Sequence, residues 1–187
     1  MRDRNKILEI IPSHFSKEQI LPFVLEKFYD IDDIEDRYTL LEHGWSLCEL
    51  PKHSMSHVTL MNILKNDGDE YHHMMNEEEK KTLNELPKIV KVYRGVLVPY
   101  YKTPITDSNC HGDHLDRGIS WTINKDKGLW FGKRYKSLKT FKDWTPYLLE
   151  SEIEKRYIYC YLNSRKEDEV IIDPSWFDKE IKVTRIK

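Results

Sequence analysis

Three groups of polar residues in the second half of the chain are candidates for chemistry. Arg94 lies in the middle of an apolar, alternating run, Ser120 and Thr122 alternate in a short segment, and Glu167 and Glu169 alternate further on. A guanidinium group matches the oxygens of phosphate or carboxylate in a bidentate geometry. Two neighbouring carboxylates repel, which raises the pKa of one of them, and such a pair suits a reaction that passes through an oxocarbenium-like state.

Each group also has a purely structural explanation. Arg94 could form an internal salt bridge to a core carboxylate, since a charged residue on an apolar strand face needs a partner. The two hydroxyls could form the polar outer surface of a strand, and the glutamates an exposed acidic strand end. The residue types alone leave both explanations open for each group.

The order of the three groups resembles the R-S-E type of ADP-ribosyltransferase, and within it the phage and bacterial toxin-like branch. The resemblance covers roughly residues 75 to 175. The matching segments are Tyr93-Arg94-Gly95, Ser120-Trp121-Thr122, Trp130-Phe131-Gly132-Lys133-Arg134 and Tyr161 to Pro174, which contains Glu167-Asp168-Glu169-Val170-Ile171-Ile172. The resemblance implies NAD as co-substrate and cleavage of its nicotinamide–ribose bond in an NAD cleft.

The resemblance also implies roles for individual residues. Glu169 would stabilise the oxocarbenium ion, Glu167 would orient or deprotonate the acceptor, and Ser120 would fix Glu169. Arg94 would hold phosphate or ribose oxygens of NAD. The implied catalytic residues are Glu169, Glu167, Ser120 and Arg94, and the implied NAD-binding residues are Arg94, Gly95, Ser120, Trp121, Thr122, Phe131 and Arg134.

By this resemblance the protein is a mono-ADP-ribosyltransferase that modifies a macromolecular acceptor, a protein side chain or a nucleic-acid base. It would act as a toxin or phage-conflict effector, with an antitoxin or neutralising protein as a further partner. Two other functions remain open: an NAD glycohydrolase, in which water replaces the acceptor, and a binding protein without catalysis.

A zinc module is the alternative from another class. Its ligands would come from two clusters, Cys110-His111-Gly112-Asp113-His114 and the i, i+4 pair His53 and His57. Metal-binding histidines often have this spacing on a helix, but a paired C-x-x-C and the glutamate of H-E-x-x-H are absent from the sequence. We therefore expect no metal site.

The elements that must position these residues divide the chain into a helical first half and a strand-rich second half. Capping boxes at Ser16 and Asn76 and apolar i, i+3, i+4 stripes predict the helices. The first predicted helix begins at Ser16, and four more are predicted over 34–48, 56–65, 76–86 and 125–134. The predicted strands cover 90–98, 119–123, 147–153, 167–173 and 180–186. Gly128 and Gly132 lie four residues apart, so we expect both on one helix face, close to the cleft or the sheet.

The predicted fold is α+β, with a helical N-terminal region (1–87) packed on a mostly antiparallel split β-sheet (88–187), together one compact unit. The chain has 187 residues, 33% charged residues, a net charge of −2 and no apolar run of membrane-spanning length. A membrane protein is thereby excluded, and nucleic-acid contact would need a local basic patch. Three scattered cysteines and the absence of a signal-like start predict a cytoplasmic protein with reduced thiols.

Overall fold

A computed structural model describes residues 8–48, 54–99, 118–134, 136, 141–173 and 181–187. The contacts within the chain group it into two compact units, Met1–Lys81 and Thr82–Lys187. The expected packing of the N-terminal helices on the C-terminal region as one compact unit stays a prediction. No helix within the described ranges is long and apolar enough to span a lipid bilayer.

The first unit is helical, as predicted. Its helices are α1 (Lys17–Lys27), α2 (Ile34–Leu47), α3 (Ser54–Asn66) and α4 (Glu77–Glu85), which continues into the second unit. Both predicted capping boxes are present: Gln19 accepts a hydrogen bond from the Ser16 amide at 2.8 Å, and Asn76 and Glu79 exchange two at 3.0 Å. The core of the unit contains the fully buried side chains of Leu21, Phe28, Tyr38, Leu41, Trp45, Leu60 and Leu64.

The second unit is an antiparallel sheet with one helix. The strands are β1 (Ile89–Val98), β2 (Ser120–Thr122), β3 (Thr145–Glu154), β4 (Ile158–Leu162), β5 (Glu169–Ile172) and β6 (Lys182–Arg185), and the helix α5 (Lys125–Lys133) lies between β2 and β3 in the chain. They form one open six-stranded sheet with the order β4-β5-β2-β1-β3-β6. The α+β class and the antiparallel pairing are therefore confirmed, whereas strand β4 was not predicted.

The strand pairing is shortest in the middle of the sheet, between β1 and β2. β1 pairs with β3 along ten residues but with β2, within the described residues, only through Tyr93 and Thr122. The halves β4-β5-β2 and β1-β3-β6 thus belong to one sheet, instead of the split sheet predicted, but are joined by a short ladder. The candidate residues lie at this junction.

Helix α5 packs directly on the sheet through glycines, as the spacing of Gly128 and Gly132 predicted. Both glycines are buried and lie inside the helix. A Cβ at Gly128 would lie 2.9 Å from the Cβ of Tyr93, and one at Gly132 would lie 2.5 Å from Cδ1 of Ile186. The helix backbone therefore lies against β1 and the end of β6.

Two of the three cysteines, Cys48 and Cys160, are buried and lie outside any disulfide in the described residues. Cys110 lies outside the described residues, as do most of the irregular segment 99–117 and the proposed zinc ligands His53, His111, Asp113 and His114. The side chain of His57 is likewise not described. No group of three or more metal-binding side chains occurs within the described part of the chain.

Candidate functional site

The register of two short strands brings Ser120 and Glu169 together. β2 and β5 pair so that Thr122 lies opposite Glu169 and Ser120 lies opposite Ile171. Ser120 is therefore the diagonal, same-face neighbour of Glu169, a separation that side chains can bridge. The Ser120 hydroxyl donates a short hydrogen bond to Oε1 of Glu169. The predicted contact between these two residues is confirmed.

Arg94 reaches the same place from β1. Its Nη1 donates a short hydrogen bond to the backbone carbonyl of Ser120. The guanidinium lies so close to Gly118 that a Cβ there would be 2.3 Å from Nη2. Arg94 thus links β1 to β2 where the strand ladder between them is short, and Gly118 provides the space for it.

Glu167 and Glu169 face a common cation, Arg165. Nη2 of Arg165 lies 2.8 Å from Oε2 of Glu167 and 3.4 Å from Oε2 of Glu169. Both glutamate side chains are buried, with 11% and 8% of their surface exposed, whereas 29% of Arg165 is exposed. The predicted neighbouring carboxylate pair is present, and a partly exposed guanidinium bridges it.

The two carboxylates differ in their hydrogen bonds. Glu169 accepts from Ser120, whereas Oε2 of Glu167 is buried and accepts no hydrogen bond from the described residues, so its contact with Arg165 is an ion pair alone. Burial raises the pKa of the Glu167 carboxyl, Arg165 opposes this shift, and the charge of Glu169 adds to it. Glu167 therefore combines a raised pKa with a buried oxygen whose described partner is a partly exposed arginine, a combination that is compatible with a general base.

Thr122 supports the turn before β5 from within the core. Its buried hydroxyl donates to the carbonyl of Glu167 at 2.7 Å and accepts from the amide of Asn124 at 3.0 Å. Trp121, on the other face of β2, is buried, and its indole N–H donates to the carbonyl of Gly118 at 2.9 Å. Both side chains are thus engaged within the protein, so their implied contact with NAD stays a prediction.

The implied role of Gly95 in cofactor binding has a different structural explanation. A Cβ at Gly95 would lie 2.1 Å from the carbonyl oxygen of Gly128 and 2.1 Å from the amide nitrogen of Gly132. Helix α5 is therefore a group that approaches the Gly95 backbone, and a contact of Gly95 with NAD stays a prediction. Glycine at this position is required by packing.

Phe131 and Arg134 lie at the end of helix α5. The Phe131 ring packs edge-on against Trp130, and the Arg134 guanidinium lies 5.0 Å from the centre of the Trp130 ring. Arg134 also lowers the pKa of Glu167 through its charge. Its charge thus acts at the carboxylate pair, while a contact of either residue with NAD stays a prediction.

Sequence reasoning missed three residues of this site: Arg165, Asp168 and Asn124. Arg165 precedes the glutamates by two and four residues, and a cation this close to an acidic pair was a usable signal. Asp168 has a positive φ of 49° and accepts hydrogen bonds from Tyr161 and Asn124, which no sequence pattern indicates. Comparisons of the chain with protein-family models, curated proteins and solved structures gave no match.

Proposed function

We propose that this protein is a mono-ADP-ribosyltransferase that cleaves the nicotinamide–ribose bond of NAD and transfers ADP-ribose to a macromolecular acceptor. One observation carries the proposal: Arg94, Ser120 and Glu169, from three separate strands, are linked by two hydrogen bonds, one to the backbone carbonyl of Ser120 and one from its hydroxyl, next to the second buried carboxylate, Glu167. The order of these residue types along the sequence is an independent observation, and it supports the same proposal.

The donor set fits an NAD substrate. Breaking the nicotinamide–ribose bond leaves the electron pair with neutral nicotinamide and positive charge on the ribose. A carboxylate held in place by Ser120 stabilises that charge without reorganising, which is the efficient form of electrostatic catalysis. Glu169 is that carboxylate in the proposal, and Arg94 supplies the cationic fork for anionic oxygens of NAD.

Glu167 acts in the step in which the acceptor reacts with the ribose. A new bond forms between the acceptor atom and C1′ of the ribose, and the acceptor proton passes to Glu167. The raised pKa of Glu167 and its oxygen without a hydrogen bond favour this role. Arg165 must yield part of its contact with Glu167 when the acceptor approaches, and its partial exposure makes this movement feasible.

The decisive experiment incubates the protein with labelled NAD and a bacterial lysate and divides the products by protease and nuclease sensitivity. Glu169→Gln should lower label transfer by about 100- to 1,000-fold, the usual loss for one preorganised electrostatic group. Glu152→Gln is the matched control, because Glu152 is 58% exposed and, among the described residues, pairs with Lys91 on the surface.

The outcomes separate the alternatives. Unchanged transfer by Glu169→Gln would refute the site assignment, and free ADP-ribose as the sole product would favour an NAD glycohydrolase. An absence of NAD consumption would refute the proposal as a whole. Loss of activity in chelator would instead support the metal-dependent alternative.

A further inference from the structure

Asp168, the residue between the two glutamates, has a left-handed backbone. Its φ is 49°, and that of Lys166 is 58°. A left-handed conformation costs an L-residue roughly 1–2 kcal/mol, although aspartate adopts it more readily than most. Such a conformation persists where the surroundings determine it, and it is often linked to function.

The surroundings of Asp168 engage all four of its polar atoms. Its carboxylate accepts from the hydroxyl of Tyr161 at 2.8 Å and from Nδ2 of Asn124 at 3.0 Å. Its amide donates to Oδ1 of Asn163 at 3.2 Å, and its carbonyl accepts from the amide of Ile123 at 3.1 Å. The left-handed turn is therefore fixed by side chain and backbone together.

This turn sets the direction of the carboxylate pair. Strand β5 begins at Glu169, so Glu167 lies outside the regular alternation that would otherwise align the two side chains. Both carboxylates nevertheless reach the same nitrogen of Arg165. The left-handed Asp168 is the backbone link between these two converging side chains.

Asn124 extends the arrangement to helix α5. Its side-chain oxygen accepts from the amides of Asp126 and Lys127, which makes it the N-cap of the helix. Its side-chain nitrogen donates to Asp168. One side chain thus connects the start of α5 to the turn that carries the carboxylates.

We propose that Asp168 is a positioning residue. Its hydrogen bonds to Tyr161 and Asn124 keep the carboxylates of Glu167 and Glu169 directed at the same group. The inference rests on the proposed function for its kinetic consequence but not for its geometry. Asp168 itself touches neither substrate nor acceptor in this proposal.

The test uses two substitutions that keep the left-handed backbone accessible. Asp168→Gly removes both carboxylate hydrogen bonds, and Asp168→Asn replaces one of the two charged acceptor oxygens with a neutral amide donor. Tyr161→Phe removes a single hydroxyl, and Tyr159→Phe, in the same strand β4, is its matched control.

The kinetic expectation is a fall in kcat with little change in KM for NAD. A displacement of about 1 Å can lower a rate about 100-fold, so we expect a loss of that order for Asp168→Gly and a smaller one for Asp168→Asn and Tyr161→Phe. A merely structural role would lower the melting temperature and the folded fraction, but not kcat per folded molecule.

A second readout does not depend on activity. The pKa of Glu167, measured by carboxyl NMR titration, should fall towards the ordinary glutamate value in Asp168→Gly, because the side chain leaves its buried place beside Glu169. The proposal is overturned if Asp168→Gly keeps both the parental kcat and the parental Glu167 pKa. If the unsubstituted protein does not consume NAD, the proposed function fails; an unchanged pKa then overturns the positioning role, and a lowered pKa supports it.

Discussion

Replacing Gly95 with alanine should destabilise the protein severely, because the added methyl group meets helix backbone. The new Cβ would lie 2.1 Å from the carbonyl oxygen of Gly128 and from the amide nitrogen of Gly132, where ordinary contact begins at 3.4 Å, so the helix must retreat by 1.3 Å. Backbone atoms cannot rotate away as a side chain can. The whole of α5 would therefore shift or tilt away from β1.

The expected cost follows from overpacking energetics. Extra carbon atoms in a well-packed core cost typically about 1–3 kcal/mol, and a backbone clash belongs at the upper end or above. For a chain of this length, 1 kcal/mol corresponds to roughly 2–4 °C in melting temperature. We expect Gly95→Ala to lose about 3 kcal/mol of unfolding free energy and to melt roughly 6–12 °C lower.

Thermal unfolding followed by circular dichroism measures the effect, with two alanine substitutions as controls. At Gly132 the new Cβ would meet Cδ1 of Ile186 at 2.5 Å, the end of a flexible side chain, so the cost should be smaller. At Gly68 it would meet nothing within 4 Å, and the cost of its positive φ of 63° should be about 1 kcal/mol. A loss for Gly95→Ala no greater than that for Gly132→Ala would refute the reasoning.

Four further predictions concern the site and its supporting helix. Gly118→Ala would displace the Arg94 guanidinium, 2.3 Å from the new Cβ, and break its hydrogen bond to Ser120; we expect a stability loss of about 1–3 kcal/mol and at least a roughly tenfold fall in NAD turnover per folded molecule, and parental turnover would contradict the role of Arg94. Glu167→Gln should raise the melting temperature at pH 7, because a raised native pKa means that ionisation of this carboxyl opposes folding; the gain should vanish as the pH falls below 4.5, the ordinary glutamate pKa, and an equal gain at all pH values would contradict the ionisation argument. Arg165→Gln removes a cation that lowers the pKa of Glu167, so the acid limb of NAD turnover should move to higher pH; a shift to lower pH would contradict this role. Gly132→Leu should lower both the melting temperature and NAD turnover, and parental values of both would exclude the close packing of α5.

Much of the fold could be predicted from local signals. Both capping boxes form where the sequence placed them, and the alternation in β1 predicted a strand that extends only one residue further at its start. Strand β4 was not predicted from the sequence because three consecutive residues of its five, Cys160 to Leu162, are all buried. Burial of consecutive residues removes the period-two pattern on which strand prediction depends.

The candidate site was predictable in its residue types and in the contact between Ser120 and Glu169, but not in the contacts that Arg165, Asp168 and Asn124 add. The sequence indicated that Arg94, Ser120 and the two glutamates belong together, and the register of β2 and β5 supplied the diagonal contact between Ser120 and Glu169. The start of β5 was predicted two residues too early, since the left-handed Asp168 interrupts the strand. That conformation depends on partners distant in sequence, Asn124 among them, which local propensity does not include.

The candidate site lies where the strand pairing within the sheet is shortest. Between β1 and β2 the described ladder has one residue pair, so backbone groups beyond it need side-chain partners, and Arg94 provides one for the carbonyl of Ser120. Buried backbone N–H and C=O groups need hydrogen-bond partners, so polar side chains must supply these partners where the ladder between two strands is short. The Arg94 guanidinium is fixed by the carbonyl that it satisfies, and the hydroxyl of the same serine is fixed by its hydrogen bond to the carboxylate of Glu169. The junction where the regular ladder is short thus holds these groups in place, which is the preorganisation on which the proposed function depends.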